Sequence, residues 1–245
     1  MSAAPGTSPR GTSSEEQAAR WVRGMFGAVA HRYDLLNHLL SFNADRYWRH
    51  RTAARVAHVL ARPETRVLDL CCGTGDLMFA LESRRRAPVF GSDFCHPMLV
   101  EAARKSARRA ARTALFEADA LRLPLRDASL DLITIAFGFR NFANYRRGLA
   151  ELRRVLKPGG TLAILEFTQP PNRAFRAFYN FYSRRLLPKI GAWISGSPDA
   201  YTYLPESVGK FPDAPALAGE LRTAGFPNVS YEYLTFGVVA LHLAK

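Results

Sequence analysis

The chain is poor in cysteine, with three in 245 residues, and poor in acid, with 21 Asp and Glu against 34 Lys and Arg. It has no apolar run approaching the ~18 residues needed to cross a bilayer. So few cysteines exclude a disulfide framework, and no pair of Cys or His has metal-ligand spacing. Cys71 and Cys72 are neighbours, which would strain any bridge between them. With Cys95 they read as small reduced thiols lining a turn. The expected setting is cytoplasmic, with no metal. The acid deficit leaves a net charge of +13, which points to a solvated basic exterior, an anionic membrane surface or nucleic acid as partner. Arg104, Lys105, Arg108, Arg109 and Arg112 fall along one predicted helix, the pattern of a solvated face. No RNA-binding appendage is present, so nucleic acid is not expected. Residues 1–14, rich in Ser, Gly, Pro and Ala, lack the apolar centre of a secretory signal. They are expected to form a disordered tail, with residues 15–245 as one domain.

The most informative stretch is Arg66-Val67-Leu68-Asp69-Leu70-Cys71-Cys72-Gly73-Thr74-Gly75-Asp76. An apolar strand runs into a glycine turn, and a helix follows with Leu77, Met78, Ala80 and Leu81. Gly73 and Gly75 let the backbone pass close beneath a ligand. A second strand, 88–92, ends at Asp93, whose carboxylate can take both hydroxyls of a ribose. The dinucleotide fingerprint needs a third glycine where Met78 stands, for close packing beneath a pyrophosphate. Its absence argues against NAD or FAD. A two-glycine turn suits S-adenosylmethionine, which has no phosphate.

Strand signals continue at 115–120, ending near Asp119, and at 130–137, an apolar β-branched run. A helix over 144–156 places Leu149, Leu152, Val155 and Leu156 inward and stops at Lys157-Pro158-Gly159-Gly160. A fifth strand covers 161–167. The runs 229–235 and 238–243, separated by Phe236-Gly237, read as a hairpin. The fold class is α/β: a mostly parallel Rossmann-like sheet with helices on both faces and an antiparallel C-terminal hairpin. Ligands in such sheets bind beyond the carboxyl ends of the strands, where Asp69, Asp93, Asp119 and Ala136 fall.

Across most of its length the chain resembles the UbiE/MenG/COQ5 group of S-adenosylmethionine-dependent C-methyltransferases of menaquinone and ubiquinone biosynthesis. The resemblance rests on Tyr33-Asp34-Leu35-Leu36-Asn37-His38-Leu39-Leu40-Ser41 with Asp45 and Trp48, and on Arg154 to Gly160 continuing through Leu165-Glu166-Phe167-Thr168. Added to these are Phe137-Gly138-Phe139-Arg140-Asn141, 201–207 and 237–242. The fold it implies is the class I methyltransferase sheet of seven strands. Family members often carry His at the place of Asp45, Ser at that of Thr168 and Ser at that of Ala136, so no side-chain role passes to Ala136. The resemblance implies cofactor contacts from Thr74, Asp93, Asp119 and the backbone of Ala120. Asp93 would hold the ribose, Asp119 the adenine amino group, and Gly73 and Gly75 would leave room for the methionine portion. The fourth strand ends in Ala136-Phe137-Gly138-Phe139, unlike the Asn/Asp-Pro-Pro-aromatic motif of amino-group methylases.

The expected reaction is methylation of a polyprenyl hydroquinone ring, demethylmenaquinol first and a methoxybenzoquinol as the alternative substrate. A sterol-type methyltransferase and a non-catalytic cofactor-binding subunit are the other readings. Ring carbon ortho to an ionised phenolic oxygen is the nucleophile, so a nearby cation that lowers the phenol's pKa helps. Arg140 is the candidate, with Asn141 orienting the ring and Tyr33 in the N-terminal cover. His31, Tyr33 and His242 are the candidate acceptors of the ring proton. Residues 15–60 are expected as two helices and a turn, capped by Ser13 with Glu16 or Ser14 with Gln17. The segment 170–210 is expected as a substrate-side lid. Within it Phe175, Phe178, Tyr179, Tyr182 and Leu186 form an aromatic stripe with Arg176, Arg184, Arg185 and Lys189 beside it, fit for core or for a lipid interface. The oligomeric state and the tail length are not legible in the sequence.

Overall fold

The computed structural model describes residues 6–111, 113–182 and 198–245. Seven strands form one sheet in the order β3-β2-β1-β4-β5-β7-β6. They are β1 (Val67–Leu70), β2 (Val89–Asp93), β3 (Thr113–Glu117), β4 (Leu130–Ala136), β5 (Leu156–Phe167), β6 (Val229–Leu234) and β7 (Val239–Ala244). The first five strands pair in parallel, and β7 lies antiparallel between β5 and β6. The hairpin therefore supplies the expected antiparallel strand one place in from the edge. β1 is buried at all four positions, as a strand covered on both faces must be.

The helices are α1 (Glu15–Val29), α2 (Tyr33–Leu40), α3 (Ala44–Arg55), α4 (Ala57–Leu60), α5 (Asp76–Glu82), α6 (His96–Arg109), α7 (Tyr145–Val155), α8 (Arg173–Phe181), α9 (Pro198–Lys210) and α10 (Ala214–Thr223). Helices α7 and α10 cover one face of the sheet, where Leu149, Leu152, Leu217 and Leu221 meet Ile133, Ile135 and Leu162. On the other face Trp48, Ala53, Leu77 and Met78 meet Val67, Leu132 and Leu165. Each fully buried side chain of this size stabilises by about 1.5–3 kcal/mol. Asn144 starts α7 by accepting a bond from the Arg147 amide at 3.0 Å, which fixes the entry of its apolar stripe.

Several sequence expectations are corrected. Residues 15–60 form four helices joined by a 3-10 turn at Ala30–Arg32, because positive φ at Phe42 and Asn43 breaks the run between α2 and α3. Ser14 is the cap, its Oγ accepting from the Gln17 amide at 3.2 Å. The third strand begins and ends earlier than 115–120, and Asp119 sits beyond it in an isolated bridge to Arg122. The fifth strand starts at Leu156, which pairs with Leu130 before the ladder resumes at Thr161 opposite Leu132. Lys157-Pro158-Gly159-Gly160 is thus an excursion within a strand. Part of the expected tail is ordered: Thr7 donates its amide to the Phe142 carbonyl at 2.8 Å and shares a hydroxyl bond with Tyr203 at 2.7 Å. Residues 1–5, Arg112, Arg184, Arg185, Leu186 and Lys189 lie outside the described residues.

Candidate active site at the strand ends

β1 ends in a sharp turn. Cys71 takes φ 54°, and Gly73 and Gly75 take φ 53° and 91°. A Cβ on Gly75 would stand 2.9 Å from the Phe79 ring, so only glycine opens α5 here. On the neighbouring strand, Phe137 follows the end of β4 at φ 59°. Gly138 lets the two strand ends close together, since a Cβ there would lie 2.4 Å from the Cys71 Cβ. Left-handed backbone at two non-glycine residues costs about 1–2 kcal/mol each and concentrates at functional sites.

Asp93, at the end of β2, is buried. Its Oδ2 accepts from the Gly73 amide at 2.9 Å and its Oδ1 from the Cys95 amide at 2.9 Å. Burial lifts its carboxyl to about 6, with those amides opposing. Asp93 thus ties the glycine turn to the second strand and keeps lone pairs for a ligand. Thr74 is buried, and its hydroxyl bonds Asp34 at 2.5 Å. Lys105 joins this group, 2.8 Å from Asp34 and 2.5 Å from Asp76. This corrects its expected place on a solvated face: it locks α2 to the glycine turn. Tyr33 closes the same roof, its ring 3.9 Å from the Cβ position of Gly73. Ala120 is buried beside the strand ends, while Asp119 is exposed and accepts from the Leu121 amide at 2.9 Å. The thiols of Cys71, Cys72 and Cys95 are free, and burial pushes all three upward.

Next to this crest lies a cavity of about 240 Å³. Phe26, Trp48, Phe137, Phe167, Tyr179 and Leu204 give it an apolar wall, interrupted by Tyr33, Asp45, Arg49 and Arg140. Trp48 is held by a 2.8 Å bond from its indole nitrogen to the Thr235 hydroxyl, and the rings of Phe137 and Phe167 lie 4.8 Å apart. Arg140 is buried, with Nη1 bonded to the Phe137 carbonyl and, at 2.9 Å, to Glu166 on β5. Burial works to lower its pKa, but Glu166 more than offsets this, so Arg140 stays a cation. Its Nε is buried without a protein partner.

The structure separates the other candidates. Asn141 does not line the cavity; its Nδ2 donates to the Phe137 carbonyl at 3.3 Å and its Oδ1 accepts from the Tyr203 hydroxyl at 2.8 Å. It positions Tyr203, which does line the cavity. His242 is corrected as a proton acceptor: it is buried on β7, with Nε2 2.9 Å from the Ala214 carbonyl, away from the cavity. His31 is exposed and likewise absent from the cavity wall. Arg49 was not singled out from the sequence, and Phe137 and Phe167 were quoted only within longer motifs. Asp45 and Trp48 stood only as motif positions.

A seven-stranded sheet of this order, with a two-glycine turn after β1 and a buried aspartate after β2, defines the S-adenosylmethionine-dependent methyltransferase class. The same fold appears in a methyltransferase structure from Aquifex aeolicus, with TM-score 0.57 and 21% identity over 78% of this chain and 88% of that one. The chain belongs to the ubiE/COQ5 methyltransferase family, whose profile matches residues 12–245. It is 52% identical to the demethylmenaquinone methyltransferase of Thermus thermophilus, over 89% of this chain and 98% of that one. A protein of the same name from Deinococcus radiodurans is 49% identical, over 90% of each. S-adenosylmethionine is the cofactor of this class.

Proposed function

We propose that the protein methylates a ring carbon of demethylmenaquinol, a step of menaquinone biosynthesis. The observation that carries this reading is the aromatic cavity lying against the glycine turn, joined to it by Tyr33 and bordered by Arg140. Such a cavity fits a flat bicyclic quinol better than a charged metabolite.

The residues at the strand ends fit the cofactor. Asp93 would hold the ribose, Gly73 and Gly75 leave space for the methionine end, and Thr74, Asp119 and the Ala120 backbone complete the contacts. When bound, S-adenosylmethionine supplies a methyl group on a positive sulfur. The chain's own work is alignment and exclusion of water. Trp48, Phe137 and Phe167 supply apolar surface against which the ring would pack, and the roof of Tyr33 shuts solvent out. The unpartnered Arg140 Nε offers a donor to the phenolic oxygen, which favours its ionised form and pushes electron density onto the neighbouring carbon.

The prenyl tail leaves by the cavity mouth, where Phe42 and Thr235 stand on the wall. Phe42 is 81% exposed and Phe236 79%, and Leu35, Leu39, Phe178 and Phe181 are exposed as well. These side chains support a peripheral contact with the bilayer, from which the quinol enters. No helix among the described residues is long and apolar enough to cross a membrane.

The test is methyl transfer from labelled S-adenosylmethionine to chemically reduced demethylmenaquinone in detergent, with Asp93→Ala alongside. Label in the quinone, lost in the variant, is the expected result. Intact cofactor binding with no label in the quinone refutes the substrate assignment.

A further inference from the structure

Methylation at a ring carbon leaves one task that no residue has yet been given. After the transfer that carbon bears both hydrogen and methyl. Its C–H bond must break, the electron pair returning to the ring and the proton leaving. Most of the cavity wall is apolar, and its two guanidinium groups, Arg49 and Arg140, accept no proton. Burial raises the Tyr33 phenol and keeps its own proton in place. Among the described residues that line the cavity, Asp45 alone carries a carboxylate, and none carries an imidazole.

Asp45 is an unusual wall residue. Its side chain is 4% exposed, yet three groups converge on it. Oδ1 accepts from the Ser41 hydroxyl at 2.8 Å, while Oδ2 meets Arg49 and lies 2.8 Å from Nδ1 of His38. Arg49 alone neutralises the carboxylate, so neutrality gives no reason for the histidine. Unlike Asp45, His38 reaches water, with 21% of its side chain exposed. Asp76 stands beside the pair, with side-chain polar atoms of the three residues all within 4.8 Å of one another, and Lys105 pairs Asp76. Titratable atoms therefore run unbroken from the cavity wall to the surface.

Resting on the quinol reading above, we propose that Asp45 accepts the ring proton and that His38 passes it to solvent. The C–H proton becomes the Asp45 carboxylic proton and moves to Nδ1 of neutral His38. The imidazolium then releases its Nε2 proton to water, and exchange with solvent moves the remaining hydrogen from Nδ1 back to Nε2 before the next turnover. Asp45 is the catalytic residue of this pair, and His38 is a positioning and relay residue.

The experiment uses demethylmenaquinol deuterated at the acceptor carbon, comparing wild type with Asp45→Asn and His38→Gln. Wild-type turnover shows no primary isotope effect, because proton loss follows the slow methyl transfer. In Asp45→Asn, kcat falls about 100-fold with KM little changed, and a primary isotope effect emerges because proton loss has become limiting. His38→Gln shifts in the same direction by about 10-fold. Cofactor affinity and melting temperature are measured on both, and His38→Gln carries the test if Asp45→Asn, which strands Arg49, fails to fold. A folded variant that keeps kcat within about twofold, or loses it with the isotope effect still at unity, overturns the relay. No turnover by the wild type would instead overturn the quinol reading.

Discussion

Asp69 gives the sharpest physical prediction, because it places a carboxyl in the middle of the sheet. It sits on β1 at 1% exposure. Its Oδ1 accepts from the Thr134 hydroxyl at 2.6 Å, and its Oδ2 has no partner. Burial raises the carboxyl from 3.8 to about 7, opposed by the Thr134 hydroxyl and by Arg49. Between those two values the folded chain binds a proton that the unfolded chain has lost. Stability from this residue is therefore fully present below about pH 4 and falls as pH rises through about 7. A gap of about three units corresponds to on the order of 4 kcal/mol. Asp69→Asn has no proton to lose, so its stability relative to wild type moves in its favour by about 3 kcal/mol between about pH 4.5 and 8.5, the remainder falling below that range. At the acid end the variant is the weaker by about 1–3 kcal/mol, since its amide nitrogen replaces the lone oxygen and finds no acceptor. Urea unfolding of the ligand-free protein, followed by tryptophan fluorescence at both pH values, reads the difference provided the m-value is unchanged. A difference that stays flat within about 1 kcal/mol across that range refutes the argument.

Gly138→Ala should lower stability by at least about 1–3 kcal/mol, seen as a drop in melting temperature, because its Cβ would meet Cys71 at 2.4 Å. An unchanged melting temperature means the two strand ends are free to part. Phe42→Ser with Phe236→Ser should weaken sedimentation with anionic vesicles, each phenylalanine contributing about 1.5–3 kcal/mol if fully buried in lipid. Equal sedimentation of the double variant and wild type removes this rim from the membrane contact.

Much of the sheet was legible because its strands carry period and punctuation: an apolar run, then Gly73-Thr74-Gly75, or a run ending at Asp93. The limits of β3 and β5 were not, since Leu156 joins the ladder through one pair with Leu130 that no local pattern announces. The cofactor crest was legible for the same reason as the strands. The cavity was not, because its wall is assembled from α1, α2, α3, α8, α9 and three strand ends. Phe137 reaches it only through a left-handed backbone angle that a phenylalanine does not advertise. Lys105 misled in the opposite direction, one cation among several on α6 that happens to face two carboxylates of other helices. His242 misled because a histidine near a motif's end says nothing of which face of the strand it occupies.

Each cation on the cavity wall arrives with its own counter-ion, Arg140 with Glu166 and Arg49 with Asp45. The pocket is thus electrically balanced inside a chain of net charge +13. An anionic ring that gains a methyl cation and loses its ring proton leaves with the charge it brought, and meets the same balanced wall on entry and on exit. With its cations paired in this way, the pocket would select its substrate mainly by shape and apolar contact, which salt affects little. On the proposed membrane contact, arrival of the protein at an anionic surface would depend on its basic exterior and would weaken as salt rises. Ionic strength would therefore separate the two stages of the proposed encounter, slowing the first far more than the second.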